Sequence, residues 1–167
     1  EGKIYQLKAT MQIGSKAGMC TLDQNLLEKY KAGHITADTA LAYMKDTSII
    51  DQIKRLVAVE EAKKYAARNG VAVLLKGASG AKTLICDGNR AVFNATGNSG
   101  QAKGGSGDTL SGLIVSIAAS GASMFDAACA GAYLAGRAAE IAAKEVSEYA
   151  LTATIISGNI GKAIREL

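Results

Sequence analysis

Proline is missing from this chain altogether. Against a norm of roughly 5%, that absence means that every turn must be built by Gly, Asn, Asp or Ser. Cysteine is sparse as well. Cys20, Cys86 and Cys129 form an odd, widely spaced set, which argues against a disulfide framework and against metal-ligand spacing, and which suits a reducing, cytoplasmic setting. The single histidine, His34, has no cysteine or second histidine near it, so it suits a surface or helix-cap role, and no metal held by protein side chains is expected. No apolar run reaches the roughly 18 residues that span a bilayer, and the opening EGKIYQLKAT has no signal-peptide pattern. It does not open on Met either, which points to a fragment. The net charge is only +4, with Lys and Arg interspersed among acids, so nucleic acid is not implied as a partner.

What is present is ordinary for a globular protein: 49% hydrophobic and 20% charged residues in 167. That length supports one domain with a proper core, or two very small ones. The chain divides into two parts by pattern. Residues 1–55 read as helical after a short extended start. Thr21-Leu22-Asp23-Gln24 is a capping box, after which Leu26, Leu27 and Tyr30 share a face and Gly33 stops the helix. Thr36 can cap a second helix that buries Ala40, Leu41 and Met44. A third is expected over 48–69, with Ile49, Ile53, Leu56, Val57 and Ala62 inward and Gly70 as terminator. From Gly70 the pattern changes to strands. Val71–Leu75 (VAVLL) reads as a strand covered on both faces, as in a parallel sheet. TLIC (83–86) and AVFN (91–94) flank the turn-forming pair Asp87-Gly88. Helices are expected over 109–120, from a Ser123 cap through Glu145, and over 154–167. The Ala- and Gly-rich composition of the middle one allows close approach to a neighbour. Strands followed by helices on a sheet mean α/β.

The stretch NATGNSGQAKGGSGDTLSG, Asn94 to Gly112, carries the chemistry. Six of its nineteen residues are glycine, and an uncharged helix, LIVSIAAS, follows. A glycine loop opening a buried helix makes an anion site, because the first amides of a helix have no partners within it; a surface loop is the plain alternative. Asp108 falls at or just inside the helix start, where the dipole favours negative charge. A carboxylate beside an anion hole suits chemistry in which a hydroxyl loses its proton while a phosphoryl group moves; the plain alternative is an N-cap. Lys76, at a strand end before Gly77, suits either a phosphate or adenine contact in the crevice beyond a parallel sheet or a lysine that snorkels to solvent. Two nucleotide fingerprints are absent. In Gly77-Ala-Ser-Gly-Ala-Lys82-Thr83 the Gly-Lys adjacency of a P-loop is missing, and Gly105-Ser-Gly107 lacks the third glycine of a dinucleotide motif, with Leu110 in its place.

Taken in order, Leu74-Leu75-Lys76-Gly77-Ala78, Asp87-Gly88, Thr96-Gly97-Asn98, Ala102 to Gly112 and Ala132-Tyr133-Leu134-Ala135-Gly136 resemble the C-terminal part of the ADP-dependent NAD(P)H-hydrate dehydratases. The resemblance covers about 56–167. It implies a partial ribokinase-like domain, preceded here by a small helical segment, and dehydration of hydrated NADH or NADPH driven by ADP or ATP with Mg2+. It also implies residue roles. Lys76, Gly77, Ala78, Ser79 and Thr83 would contact the adenine nucleotide. Gly105 and Gly107 would offer phosphate-binding amides. Asp108 would be catalytic and, with Asn98, would face the substrate. A homo-oligomer in the cytoplasm is the matching expectation; a small-molecule kinase of the same fold, using Asp108 as base, is the alternative within this class. Residues 1–54, through Ile4-Tyr5-Gln6, Met11 to Gly14, Gly18 to Gln24 and ITADTALAYMKD, are similar to the C-terminal helical end of type IV pilus retraction ATPases. That resemblance implies a non-catalytic interaction module joined near 51–56.

Overall fold

A computed structural model describes residue 3 and residues 6–77 and 82–167. The chain forms two compact units, Glu1–Ala58 and Val59–Leu167. The first contains α1 (Leu7–Ile13), α2 (Leu22–Lys31), α3 (Ala37–Tyr43) and the start of α4 (Thr47–Asn69). Both expected caps form. Thr21 accepts from the Gln24 amide while the Gln24 side chain accepts from the Thr21 amide, and Thr36 accepts from the Thr39 amide. Ala40, Met44 and Ile53 are the buried centre, with Leu26, Leu27, Tyr30, Leu41, Ile49 and Val57 packed around them. The buried Asp23 carboxylate accepts from the amides of Lys45 and Asp46 at 3.2 and 2.9 Å. It thereby satisfies backbone donors at the entry to α4, which would otherwise lack partners.

The second unit has a three-stranded sheet in the order β1 (Val73–Gly77), β2 (Lys82–Cys86), β3 (Ala91–Phe93). Both pairings are antiparallel, with Leu74 opposite Ile85 and Ile85 opposite Val92. This corrects the expectation of parallel strands. The links are 78–81 and 87–90, and a parallel crossover needs about a dozen residues or more. The strand buried on both faces is β2 rather than VAVLL. Leu84 and Cys86 pack with Ala62 and Ala66 of α4. Ile85, pointing the other way, packs with Phe125, Ala128 and Ala132 of a long helix. An edge strand lacks one neighbour, and Leu75 of β1 is accordingly 42% exposed.

Among the described residues four helices complete the unit: α5 (Ser106–Ala119), α6 (Met124–Val146), α7 (Ala153–Gly158) and α8 (Ile160–Arg165). Ser123 caps α6 through the Asp126 amide, as expected. The small residues of α6 do allow close approach. A Cβ on Gly131 would lie 2.5 Å from Ile114 of α5, and one on Gly136 would lie 2.7 Å from the Thr96 carbonyl carbon. Two expectations need correction. The helix after the glycine loop starts at Ser106, three residues before Thr109. The terminal helix is broken at Asn159, which ends α7 and whose carbonyl begins α8.

Candidate functional site

The start of α5 is set by Gly105, whose φ of 84° is left-handed backbone that a side chain would strain. That turn brings Ser106, Gly107 and Asp108 into the first turn of the helix, where amide donors have no acceptor within the helix. The Lys76 side chain comes off the end of β1 toward the same point. Its ammonium would be 3.2 Å from a Cβ at position 107, so the lysine passes over Gly107 where only a hydrogen stands. A cation and the amides of a fourteen-residue helix therefore converge, the pairing that holds phosphate oxygens elsewhere.

Around this point lies a cavity of about 780 Å³. Its wall brings together five of the expected residues: Lys76, Gly77, Thr83, Asn98 and Gly107. Gly105 and Asp108 are outside the lining, and Asp108 is exposed beside it on the first turn of α5. Ala78 and Ser79 lie outside the described residues. The cavity also takes in Lys82, Lys103 and Ser106, which the sequence reading did not single out. Lys103 stands inside the glycine stretch, but nothing in its spacing shows the direction of its side chain. Here its ammonium donates to the Tyr149 carbonyl. The Ser106 hydroxyl oxygen is buried with no hydrogen-bond partner. An unmatched buried polar atom costs about 1–3 kcal/mol, and a phosphate oxygen would match it.

The opposite wall, Asn94 to Gln101, is stitched to α6. Asn94 donates to the Ala132 carbonyl and Thr96 to the Tyr133 carbonyl. Gly97 donates its amide to Glu140, and Asn98 and Gln101 donate to the carbonyls of Ala139 and Ala135. Asn98 also caps a short turn by accepting from the Gly100 amide, so much of its hydrogen-bonding capacity goes to holding the wall. Among the described residues no cluster of three or more His, Cys, Asp or Glu could hold a metal ion. No described helix is long and apolar enough to cross a membrane.

The antiparallel sheet between α4 and α6, with a glycine-opened helix at the cavity, is a mixed α/β unit, and its solved neighbours mark it as part of a ribokinase-like domain. A family model described as NAD(P)H-hydrate dehydratase matches residues 32–162. The chain belongs to that family. It is 39% identical over 117 residues to an ADP-dependent (S)-NAD(P)H-hydrate dehydratase of Neisseria meningitidis, covering 70% of this chain and 36% of that protein. A bifunctional NAD(P)H-hydrate repair enzyme of Methanospirillum hungatei is 48% identical over 69 residues, or 41% of this chain and 14% of its own length. Among solved structures, an ADP/ATP-dependent NAD(P)H-hydrate dehydratase of Bacillus subtilis, co-crystallised with ATP/Mg2+, superposes with a TM-score of 0.58. It shares 32% identity over 64% of this chain and 38% of that one. The chain thus spans little more than a third of these relatives' length, or less. The likeness of 1–54 to pilus retraction ATPases finds no support in these comparisons, and the family model begins at residue 32, inside that segment.

Proposed function

We propose that the chain carries the nucleotide end of an ADP-dependent NAD(P)H-hydrate dehydratase, in which ADP or ATP with Mg2+ drives hydrated NADH or NADPH back to the intact cofactor. The observation that carries this reading is the Lys76 ammonium lying over Gly107 at the start of α5. Lys76, the Ser106 hydroxyl and the first amides of α5 would hold phosphate oxygens. Gly77 and Thr83, with Ala78 and Ser79 on the intervening link, would face the rest of the nucleotide, and Gly105 sets the turn that aims the amides. Mg2+ would arrive on the phosphates, as it commonly does where a protein has no cage of its own. The nucleotide, when bound, would supply the phosphoryl group that makes the hydrate's hydroxyl a leaving group, ADP departing as AMP or ATP as ADP. Asp108, exposed beside the cavity, would take the proton of that hydroxyl, and Asn98 has one amide N–H left to orient it. Departure of that oxygen as inorganic phosphate, with a proton from the adjacent carbon released to solvent, would then restore the ring double bond.

In this reading residues 56–167 carry the dehydratase site and residues 1–55 are a helical segment before it, which the family match enters at residue 32. Cytoplasmic work fits the three free cysteines, and a homo-oligomer remains the matching expectation. The test follows the return of the nicotinamide absorbance when the hydrate is mixed with ADP and Mg2+. Restored absorbance that Asp108→Ala abolishes supports the reading. Unchanged turnover in Asp108→Ala overturns the role given to Asp108, and a phosphorylated hydrate as the end product would point to a kinase.

A further inference from the structure

Gly97 lies in the cavity wall and has no side chain to anchor it, yet its amide is held at 2.8 Å by Glu140 of α6. The other carboxylate oxygen of Glu140 accepts from Arg137 at 2.8 Å, and Arg137 reaches on to Glu166 at 2.7 Å, just past the end of α8. Both Arg137 and Glu140 side chains are only 29% exposed, so this pair is shielded better than an ordinary surface ion pair. Burial works against the Glu140 charge, but the Arg137 and Gly97 donors outweigh it and hold the carboxyl below its usual range. The remaining stitches from the wall to α6 run to backbone carbonyls of Ala132, Tyr133, Ala135 and Ala139. Those carbonyls already serve the helix ladder. Glu140 is different: it is a charged acceptor, and charged acceptors make the stronger bonds.

We propose that Glu140 is the positioning residue of this cavity: through the Gly97 amide it holds the Asn94–Gln101 wall in place, and through Arg137 and Glu166 it ties that wall to the end of α8. Its bearing on ligand affinity rests on the nucleotide reading above. Its bearing on the wall does not. A plain packing role would make Glu140 matter only to overall stability; a positioning role makes Gly97 respond by itself.

Amide exchange and proton shifts of the full chain, without ligand, separate the two. In Glu140→Ala, exchange at Gly97 should quicken about tenfold or more, the order expected on losing a hydrogen bond to a charged group. Exchange at Leu84 and Ile85 of β2 should stay as it was. Glu140→Gln retains an acceptor oxygen and should restore most of the protection. Glu166→Gln, which touches neither Gly97 nor Glu140, should still move the Gly97 amide shift through Arg137. In the unaltered chain that shift should titrate below the ordinary carboxyl range of about 4.3, with Arg137, Lys144 and Glu166 as the charges around Glu140. Unchanged exchange at Gly97 in Glu140→Ala overturns the proposal, and so does a rise shared equally with Leu84 and Ile85. Titrating ADP into the same variants adds the functional arm: weaker binding in Glu140→Ala, regained in Glu140→Gln. A chain that binds no ADP at all defeats the nucleotide reading, while Gly97 exchange still decides the role of Glu140.

Discussion

Position 107 cannot take a methyl group without moving Lys76. A Cβ there would be 3.2 Å from the ammonium, yet alanine is the better helix former by about 0.5–1 kcal/mol in a helix interior, and by less in a first turn. Gly107→Ala should therefore raise thermal stability slightly while weakening nucleotide binding by roughly three- to tenfold, a displaced charged contact being worth about 1 kcal/mol. Melting and titration of the same protein check both signs, and a variant that improves both would contradict the placement of Lys76. Gly136 poses the opposite case. Its Cβ would meet the Thr96 hydroxyl, and its distance to the Thr96 carbonyl carbon would be 2.7 Å. Gly136→Ala should cost about 1–3 kcal/mol, read by denaturant unfolding. Lys76, Gly107 and Asp108 stood out in the sequence by position: a lysine at a strand end before glycine, and a glycine and an aspartate where a glycine run opens a helix. Ser106, Lys82 and Lys103 did not, since serines and lysines are common and their role depends on where a side chain points.

The elements were legible wherever a local rule governs them. The capping box at Thr21, the Thr36 cap and the Ser123 cap follow from residues three apart, and all three form. Ser123→Ala should cost about 1 kcal/mol, measured by thermal unfolding. What the chain pattern alone did not show was strand direction and layering. VAVLL and TLIC are both apolar; which one becomes central depends on the helices that cover it. Asn159 breaks the last helix locally, its buried side-chain amide turning back to donate to the Ile155 carbonyl four residues earlier, which a single asparagine in an otherwise helical run does not announce. The start of α4 responds to acid. Asp46 accepts from the Ser48 amide and hydroxyl at 3.1 and 2.7 Å, and pairs with Lys8 at 3.0 Å. The Ser48 hydroxyl, then Lys8, lower its carboxyl from 3.8 to about 2. A folded value below the unfolded one means stabilisation that is complete above the unfolded value and fades as pH falls toward the folded one. The stability difference between the unaltered chain and Asp46→Ala should thus hold steady above about pH 4 and shrink toward pH 2. A difference that grows on acidification would contradict this.

At the scale of the whole molecule, the chain contains only part of what its relatives contain: 36% of the Neisseria dehydratase's length and 38% of the Bacillus one's. What it keeps is contiguous and coherent, since the sheet, α5 and α6 enclose the cavity with residues of one compact unit. If that cavity holds a nucleotide, ligand at about a hundred times its dissociation constant should add about 2.7 kcal/mol to the stability of this unit, visible as a rise in melting temperature with ADP. The most direct measurement is calorimetric titration of ADP with Mg2+ into the folded chain, alongside Lys76→Ala. The account predicts saturable binding that Lys76→Ala weakens about tenfold or more, the range for a charged hydrogen bond. No heat from a protein shown to be folded, or equal affinity in Lys76→Ala, would contradict the claim that Lys76 and the start of α5 hold the phosphates.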